Sequence, residues 1–462
     1  MMLGHNIKNW LAAHDPRRTP RYQAIADVID EAISQGQVAS GIKLPPHRSL
    51  SNHLSVTVGT VSRAYAELER RGAVTSRVGD GTYVCERRQY VASVSPSNLI
   101  DLGQNVIRAV SQADALAQTL GALGKEPETL AGLLEYQPEA GRAQHRVIAS
   151  RWLTRFGFLD EPEQVVLTHG AQHALACLLR LLAAPGDVVL CEALSYPSIA
   201  TLAHQLRLQL ISVDIDADGV VPESLEQACQ SYQARVLFCV PTLHNPTTAI
   251  MSEARRHKIV AIAKRYKLNI IEDAVPAPIL DVQPVALGAL LPEQVFFMTS
   301  YSKSVAAGLR IGYIRTPRAW LGKLSAILRS NSWMATPLLA EVVSRWIESG
   351  QMADLLKEQR HEILQCHAIA RATLGAYFDA THDVSYHIWL AVPEPWRVSD
   401  LVYRLRRNDV IVKPSDAFTI GRTPAPPSIR LCLSGAQSRP VLQDALQRIQ
   451  RTFIDGPEIY AR

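Results

Sequence analysis

From about residue 101 onward, short apolar runs alternate with stretches of helical character, and this alternation constrains the fold more than any other feature. The runs are QVVLT, DVVLCE, RVLFCVP, LNIIEDA and QVFFMTS. Strands that alternate with helices are typical of a mostly parallel sheet with helices on both faces. From about residue 317 a long helical tract leads into a smaller α+β portion, with strands near HIWLAV and SIRLCLS. We therefore predict an α/β fold for the larger part of the chain.

The first ninety residues follow a different pattern, in which helices precede two short strands. RYQAIADVIDEAISQG has apolar residues at helical spacing, HRSLSNHL predicts a short second helix, and VGTVSRAYAELERRG a third that Thr57 could cap. VTSRVGDGTYV then predicts two strands around a Gly-Asp-Gly turn. This is the order of a winged helix-turn-helix, which places one helix in the major groove of DNA. A small helical domain with solvated charges is the alternative.

Charge is concentrated at the same end of the chain. Residues 1–90 contain twelve lysines and arginines against eight acidic residues, whereas the net charge of all 462 residues is only +5. A basic head on a nearly neutral body favours a polyanion as the partner of the head. A chain of this length is expected to hold two or three domains.

Two further absences in the sequence bear on where the protein acts. No secretory signal and no run of about 18 apolar residues is present, so we expect a cytoplasmic protein that does not contact a membrane. The seven cysteines are scattered and form no C-x-x-C pair. We interpret them as reduced thiols and predict no metal site, with a zinc site as the weaker alternative.

The string from Tyr22 to Val84 resembles the DNA-binding domain of GntR-family regulators along its full length. The matching segments are LPPHRSLSNHLSVTVGTVSRAYAELERRG and the wing RVGDGTYV. Small or hydroxylated residues at the start of the third helix permit close approach to DNA, and arginines there can meet phosphates or base edges. The resemblance implies double-stranded DNA as a partner. It also implies the DNA-facing candidates, which are Arg48, Thr57, Thr60, Arg63, Gly79 and Gly81.

A second group of residues, in the larger part of the chain, predicts a site for pyridoxal 5′-phosphate (PLP). Lys303 follows the strand QVFFMTS and lies between Ser300 and Arg310, both suited to a phosphate. Asp273 ends the strand LNIIEDA, where a buried carboxylate needs a cationic partner such as a protonated pyridine nitrogen. Taken alone, the lysine could be a surface residue and the aspartate a loop cap.

The remaining parts of a PLP site also have candidates. Asn245 follows the strand RVLFCVP and could donate to the ring O3′, although Asn-Pro is also a common turn. Ala171 and Gln172 open a helix whose free amides could hold a phosphate, and Tyr196 could stack on the ring. Each signal is weak singly, but the ordered set predicts PLP binding.

From about Asp101 to Arg451 the chain resembles fold-type I aminotransferases of class I/II. Together with its head, the whole protein resembles the MocR subgroup of GntR regulators. The resemblance implies that Lys303 forms the Schiff base with PLP and that Arg430 grips a ligand carboxylate. It also implies a head-to-tail homodimer in which Tyr136 reaches the phosphate of the neighbouring subunit. The other cofactor residues that it implies are Ala171, Gln172, Tyr196, Asn245, Asp273, Ser300 and Arg310.

The sequence departs from this family at two places. Relatives carry a tyrosine three residues after the pyridine aspartate, and here that position is Pro276. A phenol that would donate to O3′ is therefore absent, so we expect transaminase activity to be weak. The segment LIDLGQNVIRAV also lacks the usual Gly-x-Pro pattern at the N-terminal wall of the ligand pocket.

The sequence thus predicts a winged helix-turn-helix over residues 19–87, a linker over 88–100 and a PLP-binding effector domain over 101–455. The predicted function is that of a PLP-dependent transcription regulator that senses an amino compound, or PLP itself. The alternative is an active aminotransferase with an accessory DNA-binding head. A turnover assay with amino and keto acids separates the two.

Overall fold

The computed structural model describes residues 20–34, 38, 41–71, 73–77, 81–84, 99–108, 110–377, 382–421 and 424–457. The chain divides into two compact units, residues 1–97 and 98–462, which are called the head and the body below. The linker that the sequence predicts over residues 88–100 lies outside the described residues except for its last two positions.

The described residues of the head form three helices and a two-stranded ribbon. Its elements are α1 (Arg21–Ser34), α2 (His47–Leu54), α3 (Val58–Arg70), β1 (Val74–Arg77) and β2 (Gly81–Val84). Apolar residues at helical spacing on α1, including Ile25 and Ile29, pack with Leu50 of α2 and Val61 of α3 in a single buried core. This core fixes the orientation of α3 relative to the other two helices.

A tight turn separates α2 from α3. Ser55 adopts a left-handed backbone conformation with φ 55° at the end of α2. Thr57 then caps α3, because its side-chain oxygen accepts a hydrogen bond from the Thr60 amide at 3.2 Å. The cap that the sequence predicts is therefore confirmed, and it holds the first turn of α3 at the surface.

The ribbon is extended by the residues that precede α2. Strands β1 and β2 pair antiparallel, with Val74 opposite Val84. The Gly41 amide donates to the Val84 carbonyl at 3.0 Å, and the Leu44 amide to the Thr82 carbonyl at 2.8 Å. Residues 41–44 thereby act as a third strand that ties the ribbon to α2.

The body is built on a seven-stranded sheet in the order β4-β12-β11-β10-β9-β5-β6. All neighbouring pairs are parallel except those of β12, which runs antiparallel to both β11 and β4. The predicted mostly parallel α/β sheet is confirmed. The strands are β4 (Val165–Thr168), β5 (Val188–Glu192), β6 (Gln209–Val213), β9 (Val236–Cys239), β10 (Asn269–Asp273), β11 (Val295–Ser300) and β12 (Gly312–Arg315).

Helices cover both faces of this sheet because its strands are buried on both sides. In β11, Phe296 packs in one buried cluster, while Phe297 packs in another on the opposite face. The body helices are α4 (Gln112–Leu123), α5 (Pro127–Leu133), α6 (Ala143–Leu153), α7 (Ala171–Leu182), α8 (Ser198–Gln205), α9 (Pro222–Ser231), α10 (Glu253–Tyr266), α11 (Leu287–Leu290), α12 (Leu321–Asn331), α13 (Pro337–Glu348), α14 (Gln351–Leu374), α15 (Val398–Arg407) and α16 (Arg439–Asp455).

A smaller α+β portion follows α14. Its three-stranded antiparallel sheet has the order β13-β16-β15. A parallel pair of β3 and β14 brings the N-terminal end of the body into this portion, and a hairpin of β7 and β8 stands apart from it. These strands are β3 (Ile100–Asp101), β7 (Ile215–Asp216), β8 (Gly219–Val220), β13 (His387–Ala391), β14 (Val410–Ile411), β15 (Lys413–Pro414) and β16 (Ser428–Cys432). None of the described helices is both long and apolar enough to cross a membrane.

Candidate cofactor site and DNA-binding surface

The predicted cofactor residues of the body gather at one edge of the large sheet. Strands β4, β5, β9, β10 and β11 run in the same direction, so their carboxyl ends meet at that edge. Loops and side chains at the carboxyl ends of parallel strands are where α/β sheets bind ligands. The residues at these ends, or in the loops that follow them, are Ala171, Gln172, Tyr196, Asn245, Asp273, Ser300 and Lys303.

Lys303 lies in a turn directly after β11 and its side chain is largely buried. Its amine donates a hydrogen bond to the backbone carbonyl of Asn105. Burial lowers the pKa of this amine, and the charges of Arg430 and Arg310 act in the same direction. A lysine with a lowered pKa has a larger unprotonated fraction, which is the form that attacks a carbonyl carbon.

Asp273 is a buried carboxylate without a cationic partner among the described residues. It accepts a hydrogen bond from the Val275 amide at 2.9 Å. Burial raises its pKa to about 7, and the charges of Glu192 and Glu272 add to that rise. The adjacent Glu272, by contrast, lies 3.6 Å from a guanidinium nitrogen of Arg256. Because an unpaired buried carboxylate is costly, the environment of Asp273 fits a protonated ring nitrogen.

A cradle suited to a phosphate lies at the start of α7. Gly170 precedes this helix with φ 76°, and the guanidinium of Arg310 donates to the His169 carbonyl at 3.1 Å. A Cβ atom at Gly170 would lie only 3.0 Å from Arg310 Nη2, so glycine permits this close approach. The first amides of a helix have no intrahelical partner and can therefore hold an anion, here those of Ala171 and Gln172.

Two further predicted residues, Tyr196 and Ser300, have hydrogen bonds of their own. The Tyr196 hydroxyl donates to the side-chain oxygen of Gln172 at 3.2 Å, which links the predicted stacking residue to the helix start. Ser300 is buried at the end of β11, and its hydroxyl accepts a weak hydrogen bond from the Ser302 amide at 3.4 Å.

Arg430 and Asn245 form a direct pair. Arg430 Nη1 donates to Asn245 Oδ1 at 2.7 Å, which leaves the amide NH₂ of Asn245 to serve as a donor elsewhere. Arg430 Nη2 donates to the Gly103 carbonyl at 2.8 Å, while Nε is buried and has no partner among the described residues. Burial lowers the pKa of Arg430 to about 10. A buried guanidinium with a spare donor suits a ligand carboxylate.

Residues 103–106, which we call the strap, lie in the segment that the family resemblance places at the N-terminal wall of the ligand pocket, but the sequence did not indicate their contacts. Beyond its bonds to Lys303 and Arg430, the strap is held by Asn105, whose Nδ2 lies 3.4 Å from Nδ1 of His387. The Val106 carbonyl accepts a hydrogen bond from the Ser434 hydroxyl at 2.6 Å. These partners are 198 to 328 residues away in the chain, so no local pattern could have indicated them.

Tyr136 and Pro276 are the two other positions of the body that the sequence singles out. Tyr136 is 81 % exposed, and its ring centroid lies 5.4 Å from that of Trp333. Pro276 precedes a short 3-10 turn, Ala277–Ile279, with φ −75°. Because proline has neither a hydroxyl nor an N–H, the position offers no donor to O3′. The described residues contain no cluster that could hold a metal ion.

The arginines of α2 and α3 differ in their partners. Arg48 on α2 and Arg63 on α3 are exposed and form no ion pair among the described residues. Near the C-terminal end of α3, Arg70 and Arg71 both bind Glu67, and Arg71 also contacts Asp27 at 2.6 Å. Arg63 lines the same cleft as Thr57 and Thr60, so unpaired positive charge lies beside the first turn of α3.

The wing residues that the sequence singles out are described only in part. Gly81 is exposed, and its φ of 125° lies in the region that favours glycine. A Cβ atom there would approach Cε of Lys43 to 2.7 Å. Gly79 lies outside the described residues.

Comparison with known families identifies the body. Residues 97–449 match the family "Aminotransferase class I and II", which covers well over half of the chain. The chain belongs to this family. Residues 21–84 match "Bacterial regulatory proteins, gntR family", so a GntR helix-turn-helix domain precedes the aminotransferase domain.

Relatives with the same two-part organisation cover nearly the whole chain. The chain is 28 % identical to the "Uncharacterized HTH-type transcriptional regulator YdeF" of Bacillus subtilis, over 97 % of each protein. It is 26 % identical to the "HTH-type pyridoxine biosynthesis transcriptional regulator PdxR" of Corynebacterium glutamicum, over 79 % of this chain and 81 % of that protein. These relatives agree with the predicted MocR-like subgroup.

Solved structures with the fold of the body are aminotransferases. A kynurenine aminotransferase from Pyrococcus horikoshii superposes with a TM-score of 0.69 at 21 % identity, over 79 % of this chain and 93 % of that one. An archaeal alanine:glyoxylate aminotransferase gives a TM-score of 0.70 at 22 % identity, over 86 % and 95 %. The fold is fold-type I, and family membership implies PLP as the cofactor. The unpaired Asp273, the buried Lys303 and the cradle at α7 all fit this group.

Proposed function

We propose that the protein is a PLP-dependent transcription regulator that binds duplex DNA through its head and an amino compound through its body. The observation that carries the proposal is the union, in one chain, of a GntR domain over residues 21–84 and an aminotransferase domain over residues 97–449. Relatives that share both parts over their length are named HTH-type transcriptional regulators. An aminotransferase needs no DNA-binding head, so the head favours regulation.

The ligand class follows from the two groups that would hold it. Lys303 supplies a buried amine with a lowered pKa, and Arg430 supplies a guanidinium with a spare buried donor. PLP, when bound, supplies an aldehyde carbon that exchanges between amines and a ring that withdraws electrons. In a ligand with both an amino group and a carboxylate, the amino group would replace the Lys303 amine at the PLP aldehyde carbon, and the carboxylate would bind Arg430. This favours an amino acid as the effector over PLP alone.

The strap offers a route by which ligand binding reaches the head. Lys303 and Arg430 both donate to its carbonyls, at Asn105 and Gly103. A covalent bond at Lys303 and a carboxylate at Arg430 would each compete with these hydrogen bonds. The strap begins nineteen residues after Val84, the last residue of the head's ribbon. An effector that binds one arrangement of the strap more tightly than another would shift the populations of those arrangements.

We further propose that the protein acts in the cytoplasm as a head-to-tail homodimer. The aminotransferase fold supports pairing, since its members are typically dimers. On the body, Leu134 is 87 % exposed. Tyr136, two residues further along the chain, forms an exposed aromatic pair with Trp333. A second subunit would cover this apolar surface, which supports a role for Tyr136 at the partner's phosphate.

Two measurements test the proposal. Full-length protein is titrated with a duplex selected from a random library, and Arg48→Ala and Arg63→Ala are each expected to weaken binding by about 1–3 kcal/mol. Protein loaded with PLP is reduced with borohydride, and peptide mass mapping is expected to find a pyridoxyl group on Lys303. No selected duplex, or an adduct at another lysine, would contradict the DNA-binding or the cofactor part respectively.

A turnover assay separates regulation from the enzymatic alternative. Amino-acid and keto-acid pairs are incubated with the loaded protein, and keto-acid release is measured over many enzyme equivalents. Because Pro276 offers no donor to O3′, we expect changes in the spectrum of the bound cofactor with little release of product. Rapid multiple turnover would favour an active aminotransferase.

A further inference from the structure

The head contains a cleft between α1 and α3. Its volume is about 370 Å³, and it opens beside the first turn of α3. Residues from both helices form its walls, and we call them together the α1–α3 cleft. They are Arg21, Tyr22, Thr57, Gly59, Thr60 and Arg63.

The chemistry of this cleft is that of an anion site. Arg21 and Arg63 both line it, and neither forms an ion pair among the described residues. Thr57 and Thr60, whose hydroxyls lie 2.9 Å apart, and Tyr22 are its uncharged polar residues. None of the described acidic residues lines it. Two unpaired cations with hydroxyl donors are the groups that proteins use to contact phosphate oxygens.

The neighbouring cleft shows the contrast. It is lined by Tyr22, Arg63, Ala66, Glu67 and Arg70, so a carboxylate stands in its wall. Glu67 binds Arg70 at 2.7 Å, and this ion pair neutralises the cation on that side. Arg21 and Arg63 of the α1–α3 cleft therefore keep their charges unpaired, whereas the charge of Arg70 in the neighbouring cleft is compensated by Glu67.

We propose that the α1–α3 cleft binds a backbone phosphodiester of duplex DNA, with Arg21 as a contact that the helix-turn-helix pattern does not include. This proposal rests on the proposed DNA-binding function. The cleft has the volume of about twelve water molecules at ~30 Å³ each, which is enough for a phosphate group with part of its hydration shell. The cleft adjoins the helix end expected to enter the major groove, and the backbone borders that groove. Arg21 thereby contributes affinity and register but no sequence preference.

Salt dependence of binding tests the proposal directly. Full-length protein and its Arg21→Ala variant are titrated with the selected duplex and with random duplexes over a range of KCl concentrations. Loss of one phosphate contact per head is expected to reduce the slope of log K against log salt by about 0.9 for each head bound to the duplex. It should also weaken binding to both kinds of duplex by about tenfold. Arg21→Lys, which keeps the charge, is expected to retain the slope.

Arg70→Ala is the matched control, because it removes one positive charge from the same head at a residue already paired with Glu67. Its salt slope should equal that of the parent, and thermal unfolding should show all variants folded. If Arg21→Ala and Arg70→Ala give the same slope and affinity, the cleft proposal is overturned while DNA binding stands. If the parent binds no duplex, both proposals fail. Inorganic phosphate that binds the parent but not Arg21→Ala, while the two proteins bind the duplex with equal affinity and salt slope, would indicate a free-anion site instead and overturn the phosphodiester assignment.

Discussion

Two buried carboxylates of the body differ in chemistry because their partners differ. Glu272 and Asp273 are adjacent carboxylates at the end of β10, and both are buried. Glu272 accepts the amides of Leu287 and Gly288 and lies near Arg256, whereas Asp273 has the Val275 amide as its hydrogen-bond donor. Glu272 thus has amide donors and a nearby cation, whereas Asp273 keeps a demand for positive charge that no described residue meets.

That demand predicts how stability depends on pH. The pKa of Asp273 is raised to about 7 from an unperturbed value near 4, so folding favours its protonated form. In the cofactor-free protein this contribution is fully present below about pH 4 and is lost as pH rises through 7. We expect Asp273→Asn to flatten the fall in the free energy of unfolding between pH 5 and 8, by roughly 2–3 kcal/mol.

Urea unfolding at a series of pH values measures this. Glu348→Gln, an exposed carboxyl on α13, is the control and should leave the pH profile unchanged. Loading with PLP should also flatten the profile of the parent, because a cationic ring nitrogen compensates the ionised carboxylate. A profile that Asp273→Asn leaves unaltered would show that this carboxyl does not titrate in the window.

Pro276 allows the role of a single missing hydroxyl to be measured. A phenol restored by Pro276→Tyr should donate to O3′ and favour its ionised form. A hydrogen bond to a charged group is worth roughly 1.5–3 kcal/mol, so the pH at which the absorbance of the bound cofactor changes should fall by about one to two units. Pro276→Phe supplies the ring without the hydroxyl and should give no such fall. Equal titrations for the two variants would place the position away from O3′.

At the scale of elements, the sequence predicts regular structure well and long-range contacts poorly. Apolar runs such as QVFFMTS became buried strands, and Thr57 caps α3 as its position indicates. The antiparallel direction of β12 was not predicted, because periodicity shows which residues are buried and not which neighbour a strand pairs with. The contacts of the strap were not predicted for the same reason, since its partners lie on β11, β13 and β16 or beside them.

The strap should respond to the state of Lys303. Its hydrogen bond to the Asn105 carbonyl cannot persist unchanged once the amine is bonded to a cofactor. We expect PLP to accelerate backbone amide exchange in residues 103–108 of the parent. Lys303→Met keeps the length of the side chain without the donor, so its exchange there should be fast without PLP and unaffected by it. The measurement is hydrogen–deuterium exchange with mass spectrometry, and slow exchange in Lys303→Met would show that the strap is held by its other contacts.

At the scale of the whole molecule, the site for duplex DNA and the proposed site for the amino compound belong to different units. The head carries unpaired arginines beside the first turn of α3, and the body carries a buried lysine and arginine that share one strap. No single element carries both sites, because the chain divides into two compact units. Coupling between the sites, as the proposed function requires it, is therefore tested on the full-length protein.

Such coupling has to be reciprocal. If an amino acid changes the affinity for DNA by some factor, DNA must change the affinity for that amino acid by the same factor, typically 5- to 150-fold. We expect this equality for any of the twenty protein amino acids that alters the spectrum of the PLP-loaded parent. Calorimetric titration of the amino acid with and without the selected duplex gives one factor, and duplex titration with and without the amino acid gives the other. Arg430→Lys should keep its affinity for the duplex yet lose the coupling, because lysine cannot donate to Asn245, to the strap and to a carboxylate with the geometry of the guanidinium. An amino acid that binds the parent but leaves duplex affinity unchanged would show that the body does not regulate the head through this site.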